Sequence, residues 1–474
     1  MMGAPSKILI LLALLALGAC VPAPSPTGVE AAFAKAKAHQ ITLREFIYAM
    51  PKGGDLHTHL YGTVYAESWL KWASEDGYCI DKTSLTLQKP KRNCADESYV
   101  DARTALGDQA FRNRMIDRLS MRDFWPKNSW SGHDQFFSTF SAIALRPDRR
   151  GDMVAEAANR AGEQGIAYLE LTNTMELFET ILPLVIDLPM SGDMARDYQT
   201  LMQSEFGKQL PAMVARARAD MDATMARKDA LLGCKGDTPK PGCAVTIRFQ
   251  SQSVRTLPPA AVFAHFIFGW HLVADDPRFV GINLVAPEDD FVALHDYRTH
   301  MAQLDYLYRT LGPRNISLHA GELALGLVPP KDLRFHITQA ITKGHAKRIG
   351  HGMDIIHETG YRETLKTMAK DGILVEVNLT SNDVILGIKG DEHPFYIYRK
   401  AGVPMAFSTD DEGIARIDMT HELVRAVQDF DLGYDDLKTY TYNSLQYAFV
   451  EDATKTKLIA GLDARFARFE SGFK

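Results

Sequence analysis

The chain has 474 residues, a formal net charge of −6 at pH 7 and 24% charged residues. This balance shows neither a basic stripe for nucleic acid nor a strongly acidic tail, so we expect no nucleic-acid partner. Length alone suggests about three domains, but one (β/α)8 barrel with insertions also fills several hundred residues.

The first 28 residues have the pattern of an export signal and a tether. Lys7 precedes an apolar run over residues 8–17, which is too short to span a bilayer and suits a signal-peptide core. The run ends in a stretch that resembles the bacterial lipobox, Leu17-Gly18-Ala19-Cys20. A signal peptide without lipidation is the alternative. We expect a signal peptide over residues 1–19, lipid on Cys20 and a Pro/Ser tether over residues 20–28.

Four further cysteines form two local pairs, Cys79 with Cys94 and Cys234 with Cys243. An oxidising compartment permits a disulfide within each pair, and each would contribute about 2–3 kcal/mol if unstrained. Free or metal-binding thiols are the alternative, although neither spacing resembles a Cys-x-x-Cys zinc knuckle.

Helical spacing over residues 29–50 predicts helix packed against the main domain, and a first strand is predicted over about residues 54–60. Apolar residues then recur at i, i+3, i+4 and i+7, which predicts a helix with one buried face: Ala66, Trp69, Leu70 and Ala73. The polar stretch over about residues 75–130 breaks this periodicity. We interpret it as an insertion after the first strand, serving as a cap or a partner surface.

Seven more short apolar runs alternate with helical stretches from residue 136 onward. They lie at Ile166–Thr172, Val245–Gln250, Val280–Val285, Ile316–His319, Arg348–His351, Leu374–Asn378 and Met405–Ser408. Eight βα units with nearly continuous apolar strands predict an α/β fold, a (β/α)8 TIM-type barrel over residues 29–474 with additional N- and C-terminal helices. A doubly wound open sheet is the alternative, which periodicity does not exclude.

Histidine and acidic residues cluster at the C-terminal ends of four predicted strands. The stretches are Asp55-Leu56-His57-Thr58-His59, His319-Ala320-Gly321-Glu322, Gly350-His351-Gly352 and Ser408-Thr409-Asp410-Asp411. In a barrel, the ends of strands one, five, six and eight converge on one mouth, whereas an open sheet would scatter them along its edge. The arrangement therefore favours the barrel and predicts one site at its mouth.

The residue types at this mouth predict a metal-dependent hydrolase. Three imidazoles and a carboxylate suit Zn²⁺ with one open position, the proposed ligands being His57, His59, His319 and Asp410. Zn²⁺ held in this way would lower the pKa of water from 15.7 to about 7. Glu322 lies within reach of a substrate atom without being a ligand, and Asp411 could accept a hydrogen bond from substrate. His351 could act as a base or an electrostatic partner.

Together with Met50-Pro51-Lys52-Gly53-Gly54 and Arg348-Ile349, these stretches resemble the adenosine deaminase family of the amidohydrolase superfamily. The resemblance covers the chain from about residue 50 to its end. The entry motif, the insertion and the stretch Gly281-Ile282-Asn283-Leu284-Val285-Ala286-Pro287-Glu288-Asp289 are similar to the secreted adenosine deaminase growth factor branch. Export fits that branch.

The resemblance implies hydrolytic deamination of adenosine or 2′-deoxyadenosine to the inosine form and ammonia, with one Zn²⁺ per chain. Glu322 would protonate purine N1, His351 would orient and deprotonate the attacking water, and Asp411 would hold N7 and the attacking hydroxide. Gly281 and Glu288 would lie against the purine or ribose. Tyr61 stands where typical members have a ribose-binding Asp, so sugar recognition differs from the family pattern.

Other functions remain open at this stage. The substrate could be another purine or a modified adenosine. The first motif also looks like that of metal-dependent phosphoesterases, but the further ligands for two or three metals are not evident. A lipid-anchored binding protein without catalysis is the third alternative. Partners would be a small purine nucleoside and, through the lipid anchor alone, a membrane; the sequence leaves self-association open.

We predict that the full-length protein, expressed in a Gram-negative host, carries lipid on Cys20 and fractionates with the outer membrane. Val21 follows the cysteine where an inner-membrane retention signal usually has Asp. Mass spectrometry of the intact protein checks the lipid, with Cys20→Ala as the control. A freely soluble periplasmic protein without lipid would contradict the expectation.

Overall fold

The structure is a computed structural model that describes residues 28–89, 94, 96–127, 129–143 and 147–473. The expected signal peptide, Cys20 and all of the tether except Gly28 lie outside these residues. The strands of the described part are β1 (Gly54–His59), β2 (Cys79–Asp81), β3 (Leu87–Gln88), β4 (Tyr99–Asp101), β5 (Tyr168–Asn173), β6 (Thr246–Val254), β7 (Phe279–Val285), β8 (Ser317–Ala320), β9 (Arg348–His351), β10 (Leu374–Val377) and β11 (Met405–Phe407).

Helices surround and connect these strands. They are α1 (Gly28–Lys37), α2 (Gln40–Ala49), α3 (Ala66–Glu75), α4 (Ala102–Gly107), α5 (Gln109–Arg118), α6 (Gly132–Ala142), α7 (Arg150–Glu163), α8 (Leu182–Val185), α9 (Met194–Gln203), α10 (Glu205–Leu232), α11 (Pro259–Asp275), α12 (Phe291–Thr310), α13 (His336–Thr342), α14 (Tyr361–Asp371), α15 (Leu379–Leu386), α16 (Phe395–Ala401), α17 (Glu412–Ala415), α18 (Met419–Phe430), α19 (Tyr434–Gln446) and α20 (Asp452–Ser471).

Eight parallel strands close into a barrel. One run of hydrogen-bonded strands has the order β1-β5-β6-β7 and the other has the order β8-β9-β10-β11. Parallel bridges join Ile282 to Ile316 and Thr58 to Asp410, so the two runs meet at both ends. Closure pairs the backbone groups that an open sheet would leave at its edges. The predicted (β/α)8 fold is confirmed, and the open-sheet alternative is wrong.

The barrel strands are buried on both faces, since side chains fill the interior and helices cover the outside. All seven residues of β7 are buried, as are all six of β5. The helices α1 and α2 lie beside the C-terminal helices, where Phe33 and Phe46 contact Tyr434 and Phe46 contacts Phe469. These contacts place the predicted N-terminal helices against the outside of the barrel.

The predicted insertion contains a small antiparallel sheet of its own. Its strand order is β3-β2-β4, and it follows α3. Cys79, at the start of β2, is disulfide-bonded to Cys94 with a Cα–Cα distance of 5.5 Å, and Cys234 is bonded to Cys243 at 5.4 Å. Both expected cysteine pairings are therefore present.

Among the described residues, no helix combines the length and the apolar character needed to cross a membrane.

We predict that acid destabilises the fold through buried neutral histidines, of which His300 in α12 is the clearest case. Its side chain is fully buried, its ring nitrogens have no hydrogen-bond partner among the described residues, and burial lowers its pKa to about 3. The unfolded chain, with a histidine pKa of about 6.5, binds this proton first, so stability falls as the pH drops from about 6.5 towards 3.

Between pH 7 and pH 5, the free energy of unfolding should therefore fall by about 1–2 kcal/mol less in His300→Leu than in the wild type. Urea unfolding at the two pH values measures the difference. The matched control is Thr310→Leu, which replaces an exposed residue without a titratable side chain in the same helix and should leave the pH dependence unchanged. If the free energy of unfolding fell equally in His300→Leu and in the wild type between pH 7 and pH 5, His300 would not contribute to the acid sensitivity.

Candidate metal centre and substrate cavity

A cavity of about 460 Å³ opens at the C-terminal ends of the barrel strands, within the range of small-molecule sites. Its floor contains His59, His319, His351, Asp410 and Asp411, and Glu322 lies at its side. The walls are largely apolar, including Phe136, Phe137, Phe140, Val254, Val285 and Ile385. A flat aromatic ligand would therefore meet apolar side chains above a polar floor.

The helix α6 supplies three of these aromatic side chains, and its position is determined locally. Ser131 and Asp134 form a capping box that starts the helix, satisfying N–H groups that have no partner within it. His133 Nε2 lies 2.9 Å from Asp289 Oδ1, which ties α6 to the loop after β7. This helix closes one side of the cavity.

Four side chains from two barrel strands, β1 and β8, and the loop after β11 converge in a donor cluster. Asp410 Oδ1 lies 3.3 Å from His57 Nε2 and 3.2 Å from His59 Nε2. His59 Nε2 lies 3.1 Å from His319 Nε2. Ligand atoms that are each about 2.0–2.2 Å from one metal ion with four or five ligands are about 3–3.6 Å apart. The spacing therefore fits the four predicted ligands around one divalent cation.

The outer nitrogen of each of these three imidazoles faces a hydrogen-bond acceptor. His57 Nδ1 lies 2.7 Å from Glu376 Oε2, and His319 Nδ1 lies 3.0 Å from Asn283 Oδ1. His59 Nδ1 lies 3.1 Å from Gln252 Oε1. Each ring consequently has its proton on Nδ1 and directs its Nε2 lone pair into the cluster, as in histidines that bind metals.

The cluster is electrostatically incomplete without a cation. The buried His57 Nε2 has no hydrogen-bond partner, and the lone pairs of His59 and His319 face each other. Two overlapping groups of donor atoms lie within 4.8 Å of one another: His57, His319, His351 and Asp410, and His59, Asp410 and Asp411. Both contain Asp410, so they form a single centre that fits a divalent metal.

The pKa values in the cluster show how strongly its charges interact. Burial lowers the pKa of His57, but the carboxylates of Asp410 and Glu376 outweigh burial and raise it to about 10. Burial raises the pKa of Asp410, but His57 outweighs this effect and holds the pKa well below its usual value. Burial and the neighbouring imidazoles lower the pKa of His319. These shifts favour an ionised Asp410 and a second proton on His57, and a bound cation would replace that proton at Nε2.

The backbone at the cavity floor adopts conformations that are unusual for residues with side chains. His351, Asp410 and Ala286 have φ values of 67°, 57° and 83°. Such conformations cost about 1–3 kcal/mol each and persist where the surrounding structure requires them. Gly350 has a steric role here, because a Cβ atom at this position would lie 2.6 Å from His57 Cε1. The backbone is thus shaped around the donor cluster.

Glu322 and Asp411 are buried acids beside the cluster. Burial, reinforced by Asp410 and Glu288, raises the pKa of Glu322 well above its usual value. Burial also raises the pKa of Asp411, whose Oδ1 is buried without a hydrogen-bond partner. Divergent pKa values among neighbouring acids are typical of catalytic sites. Here the pKa values of two neighbouring acids are shifted in opposite directions, that of Asp410 downwards and that of Glu322 upwards.

Glu288 and Gly281, which the sequence predicts to lie against the substrate, are not among the residues that line the cavity. Glu288 Oε2 accepts from the Glu322 N–H at 2.8 Å, and its other oxygen lies 2.5 Å from His336 Nδ1. It therefore positions the Glu322 loop. Gly281 lies inside β7, where a Cβ atom would approach Phe449 Cδ2 to 2.9 Å. Tyr61 does line the cavity, with its ring stacked on Trp69.

The sequence interpretation missed the residues that hold the histidines. Glu376 contacts His57 and also accepts from Ser317 and Arg348 inside the barrel, at 2.9 and 2.7 Å. Asn283, Gln252 and Asn382 act on the other rings. Their only signal in the sequence is a polar residue within an otherwise apolar strand or at a strand end. That signal does not identify which histidine each one contacts.

Comparisons with known proteins agree with this geometry. The adenosine deaminase family model matches residues 267–465. Curated adenosine deaminases of Clostridium perfringens are 28% identical over 190 residues, which is 40% of this chain and 54% of the relative. The chain thus spans about half the length of the curated relatives it matches.

Solved structures share the fold over nearly the whole chain. An amidohydrolase of Burkholderia ambifaria with bound Zn has a TM-score of 0.58 at 18% identity and covers 91% of this chain and 94% of its own. Arabidopsis ADAL complexed with IMP has a TM-score of 0.59 at 19% identity, covering 90% and 99%. The Arthrobacter aurescens adenine deaminase has a TM-score of 0.54 at 15% identity, covering 87% and 98%.

We predict that the purified protein binds about one divalent metal per chain and that Glu376→Gln weakens metal affinity by about 10–100-fold, the usual effect of removing the partner of a ligating histidine. His57→Ala should abolish binding. Elemental analysis and a competition titration with a chelator measure both. His345→Ala, which removes a histidine outside the cluster, is the control. Full metal binding by His57→Ala would contradict this centre.

Proposed function

Because this chain belongs to the adenosine deaminase family, we propose that it is a zinc-dependent hydrolase that converts adenosine or 2′-deoxyadenosine and water into inosine or 2′-deoxyinosine and ammonia. The observation that carries the proposal is the position of Glu322, a buried acid with a raised pKa, beside the donor cluster in one apolar-walled cavity. Addition of water to an aromatic amidine builds negative charge on a ring nitrogen, so this class of substrate needs an acid in the plane of the ring. Hydrolysis of a carbonyl or a phosphate does not need an acid at that position.

His57, His59, His319 and Asp410 would hold the zinc ion, since three imidazoles and one carboxylate are a usual catalytic zinc set. The zinc in the Burkholderia ambifaria amidohydrolase supports this choice of metal. When bound, Zn²⁺ supplies Lewis-acid activation of water at neutral pH. The remaining chemistry belongs to the side chains around it.

Glu322 would donate its proton to N1 of the purine. Protonation at N1 removes negative charge that would otherwise build up on the ring when water adds at C6. The backbone N–H groups of Gly321 and Glu322 both donate to the Glu288 carboxylate, at 3.2 and 2.8 Å. This double contact fixes the loop that carries the acid. Glu288 is thereby a positioning residue.

Asp411 and His351 would act on the other side of the reacting carbon. Asp411 lines the cavity with a buried, unpartnered Oδ1, which would hydrogen-bond to N7 and the attacking oxygen. His351 Nε2 lies 3.6 Å from Glu322 Oε1 and 3.7 Å from Asp410 Oδ2. It would orient the attacking water between these oxygens. The apolar walls would hold the purine ring and exclude other water.

A nucleoside 5′-monophosphate is the second candidate substrate, and Arg150 favours it. Arg150 lines the cavity, is 6% exposed, and its Nε has no hydrogen-bond partner. Within the described residues no carboxylate lies within ion-pairing distance of its guanidinium. A buried guanidinium without a partner is costly, and a phosphate suits it well. The solved Arabidopsis relatives include an N6-mAMP deaminase and complexes with IMP and GMP.

The two remaining alternatives from the sequence have less support. A phosphoesterase with two or three metals needs separate donor clusters, whereas the two donor groups of the described residues share Asp410. A binding protein without catalysis does not need a protonated acid next to a metal centre. Export through Cys20 remains our proposal for where the reaction takes place, namely outside the cytoplasm at the outer membrane.

We predict that Glu322→Gln keeps zinc and fold but lowers kcat by about 10²–10⁴-fold, equivalent to about 3–5 kcal/mol of barrier, because the amide cannot supply the proton. Ammonia release and the absorbance change from adenosine to inosine measure turnover. Glu179→Gln, which changes another acid that lines the cavity and has no role in the mechanism, is the control. Turnover by Glu322→Gln at the wild-type rate would exclude the proposed acid.

We predict that a panel of adenosine, 2′-deoxyadenosine, adenine, AMP and N6-methyladenosine separates the candidate substrates. Tyr61 in place of a ribose-binding Asp should give weak discrimination between adenosine and 2′-deoxyadenosine. If the monophosphate is the substrate, Arg150→Met should lower kcat/KM for AMP by about 10-fold or more, since a charge-assisted hydrogen bond contributes about 1.5–3 kcal/mol. The same variant should leave adenosine nearly unaffected. No turnover of any panel member by zinc-loaded protein would refute the deaminase proposal.

A further inference from the structure

His351 differs from the three proposed metal ligands in what lies behind its ring. Acceptors face the Nδ1 atoms of His57, His59 and His319. Behind His351 is a chain of side chains that leads away from the cavity, through Asn382 in α15 to His393 before α16. The proton positions along this chain follow from its far end.

The far end is a backbone donor. The N–H of Phe395, the first residue of α16, donates to His393 Nδ1 at 3.1 Å. A helix leaves such N–H groups without a partner of its own, so His393 satisfies one of them. His393 is 3% exposed, and burial lowers its pKa to about 3. The ring is therefore neutral, its Nδ1 is an acceptor and its proton is on Nε2.

This proton determines the orientation of the Asn382 amide. His393 Nε2 lies 3.1 Å from Asn382 Nδ2, and Asn382 Oδ1 lies 2.9 Å from His351 Nδ1. Two donors would face each other in this arrangement. A half-turn of the amide exchanges its two ends within the same space. Asn382 Oδ1 then accepts from His393 and Asn382 Nδ2 donates to His351 Nδ1, so that the His351 proton lies on Nε2.

Asn378 is able to accept a hydrogen bond from a proton on His351 Nε2. It is 1% exposed, its Oδ1 has no hydrogen-bond partner, and its Nδ2 lies 3.5 Å from His351 Nε2. A half-turn of this amide presents the unpartnered Oδ1 to His351 Nε2. Asp410 Oδ2, on a carboxylate whose pKa is lowered, lies 3.7 Å from the same nitrogen and is an acceptor as well. Acceptors therefore surround this nitrogen.

We propose that His393 and Asn382 are positioning residues that hold His351 as its Nε2–H tautomer, so that His351 donates a hydrogen bond into the cavity and cannot be a metal ligand. This inference rests on the proposed function for the role of that hydrogen bond, which orients the attacking water. It explains why one imidazole of the centre is not a ligand, although its Nε2 lies among the donor atoms. Because His351 Nε2 already carries a proton in the resting protein, this atom cannot accept one there.

Two substitutions at position 393 separate this role from simple helix capping. In His393→Asn, the side-chain oxygen lies near the former Nδ1 and keeps the cap of Phe395, but the donor to Asn382 is lost. In His393→Gln, the amino group reaches the former Nε2 position and keeps the donor, but the cap is lost. If His393 only caps α16, His393→Gln is the more harmful substitution. If His393 sets the tautomer of His351, His393→Asn is the more harmful one.

The experiment is nitrogen NMR of the metal-loaded protein labelled with ¹⁵N-histidine, in which protonated and unprotonated ring nitrogens are distinguished by chemical shift. His351→Gln assigns the signals. We expect protonated Nε2 on His351 in the wild type and in His393→Gln, and a mixture of tautomers in His393→Asn. Asn382→Asp, whose carboxylate accepts from both rings, should move the His351 proton to Nδ1. Protonated Nδ1 on wild-type His351 would overturn the proposal.

Turnover with the best substrate of the panel gives the second measurement. We expect kcat to fall by about 10²-fold or more in Asn382→Asp and by a smaller factor in His393→Asn, with KM nearly unchanged, as when a catalytic histidine is held in the wrong tautomer. Thermal unfolding confirms that each variant is folded. The NMR measurement needs no substrate, so a protein that fails to deaminate adenosine can still support or refute the tautomer assignment.

Discussion

The carboxylate of Glu376 connects the metal centre to the interior of the barrel. One of its oxygens holds His57 Nδ1, and the other accepts from Ser317 and from Arg348, which also pairs with Glu170. All these groups are fully buried, so each charge depends on the others to offset its loss of hydration. The direction of the His57 ring thus depends on an ion-pair network beneath the cavity, and the other ligands are arranged around that ring.

Closure of the barrel is the second constraint on the site. The family model matches residues 267–465, whereas His57 and His59 lie on the first strand, far outside that segment. The bridge between Thr58 and Asp410 brings the two parts together, since it places β1 beside the loop after β11. The donor cluster therefore forms only when the last barrel strand meets the first. Metal binding is consequently coupled to completion of the fold.

Two acids at the cavity need opposite protonation states. Asp410 must remain ionised beside the imidazoles, whereas Glu322, a few ångströms away, must hold a proton. Position produces the difference: Asp410 lies among imidazoles, and Glu322 faces other acids and an apolar wall. Glu288 is close to both the Glu322 backbone and Arg255, and this arrangement keeps its own charge compensated. The same apolar surroundings that would hold a purine also set the protonation of the acid.

The sequence by itself determined the fold class, the strand positions to within a few residues and the candidate metal-binding and acidic residues, because strand periodicity and strand-end polar residues depend on neighbours along the chain. Only the tertiary structure decided that Glu288 supports a loop and does not line the cavity, and that Glu376, Asn283 and Gln252 orient the histidines. Those contacts join residues from different strands, and their geometry depends on the register in which the barrel closes. His393 illustrates the limit, since it belongs to none of the four motif stretches in the sequence. Its position behind Asn382 depends on the packing of α15 against the segment before α16, which no local pattern encodes.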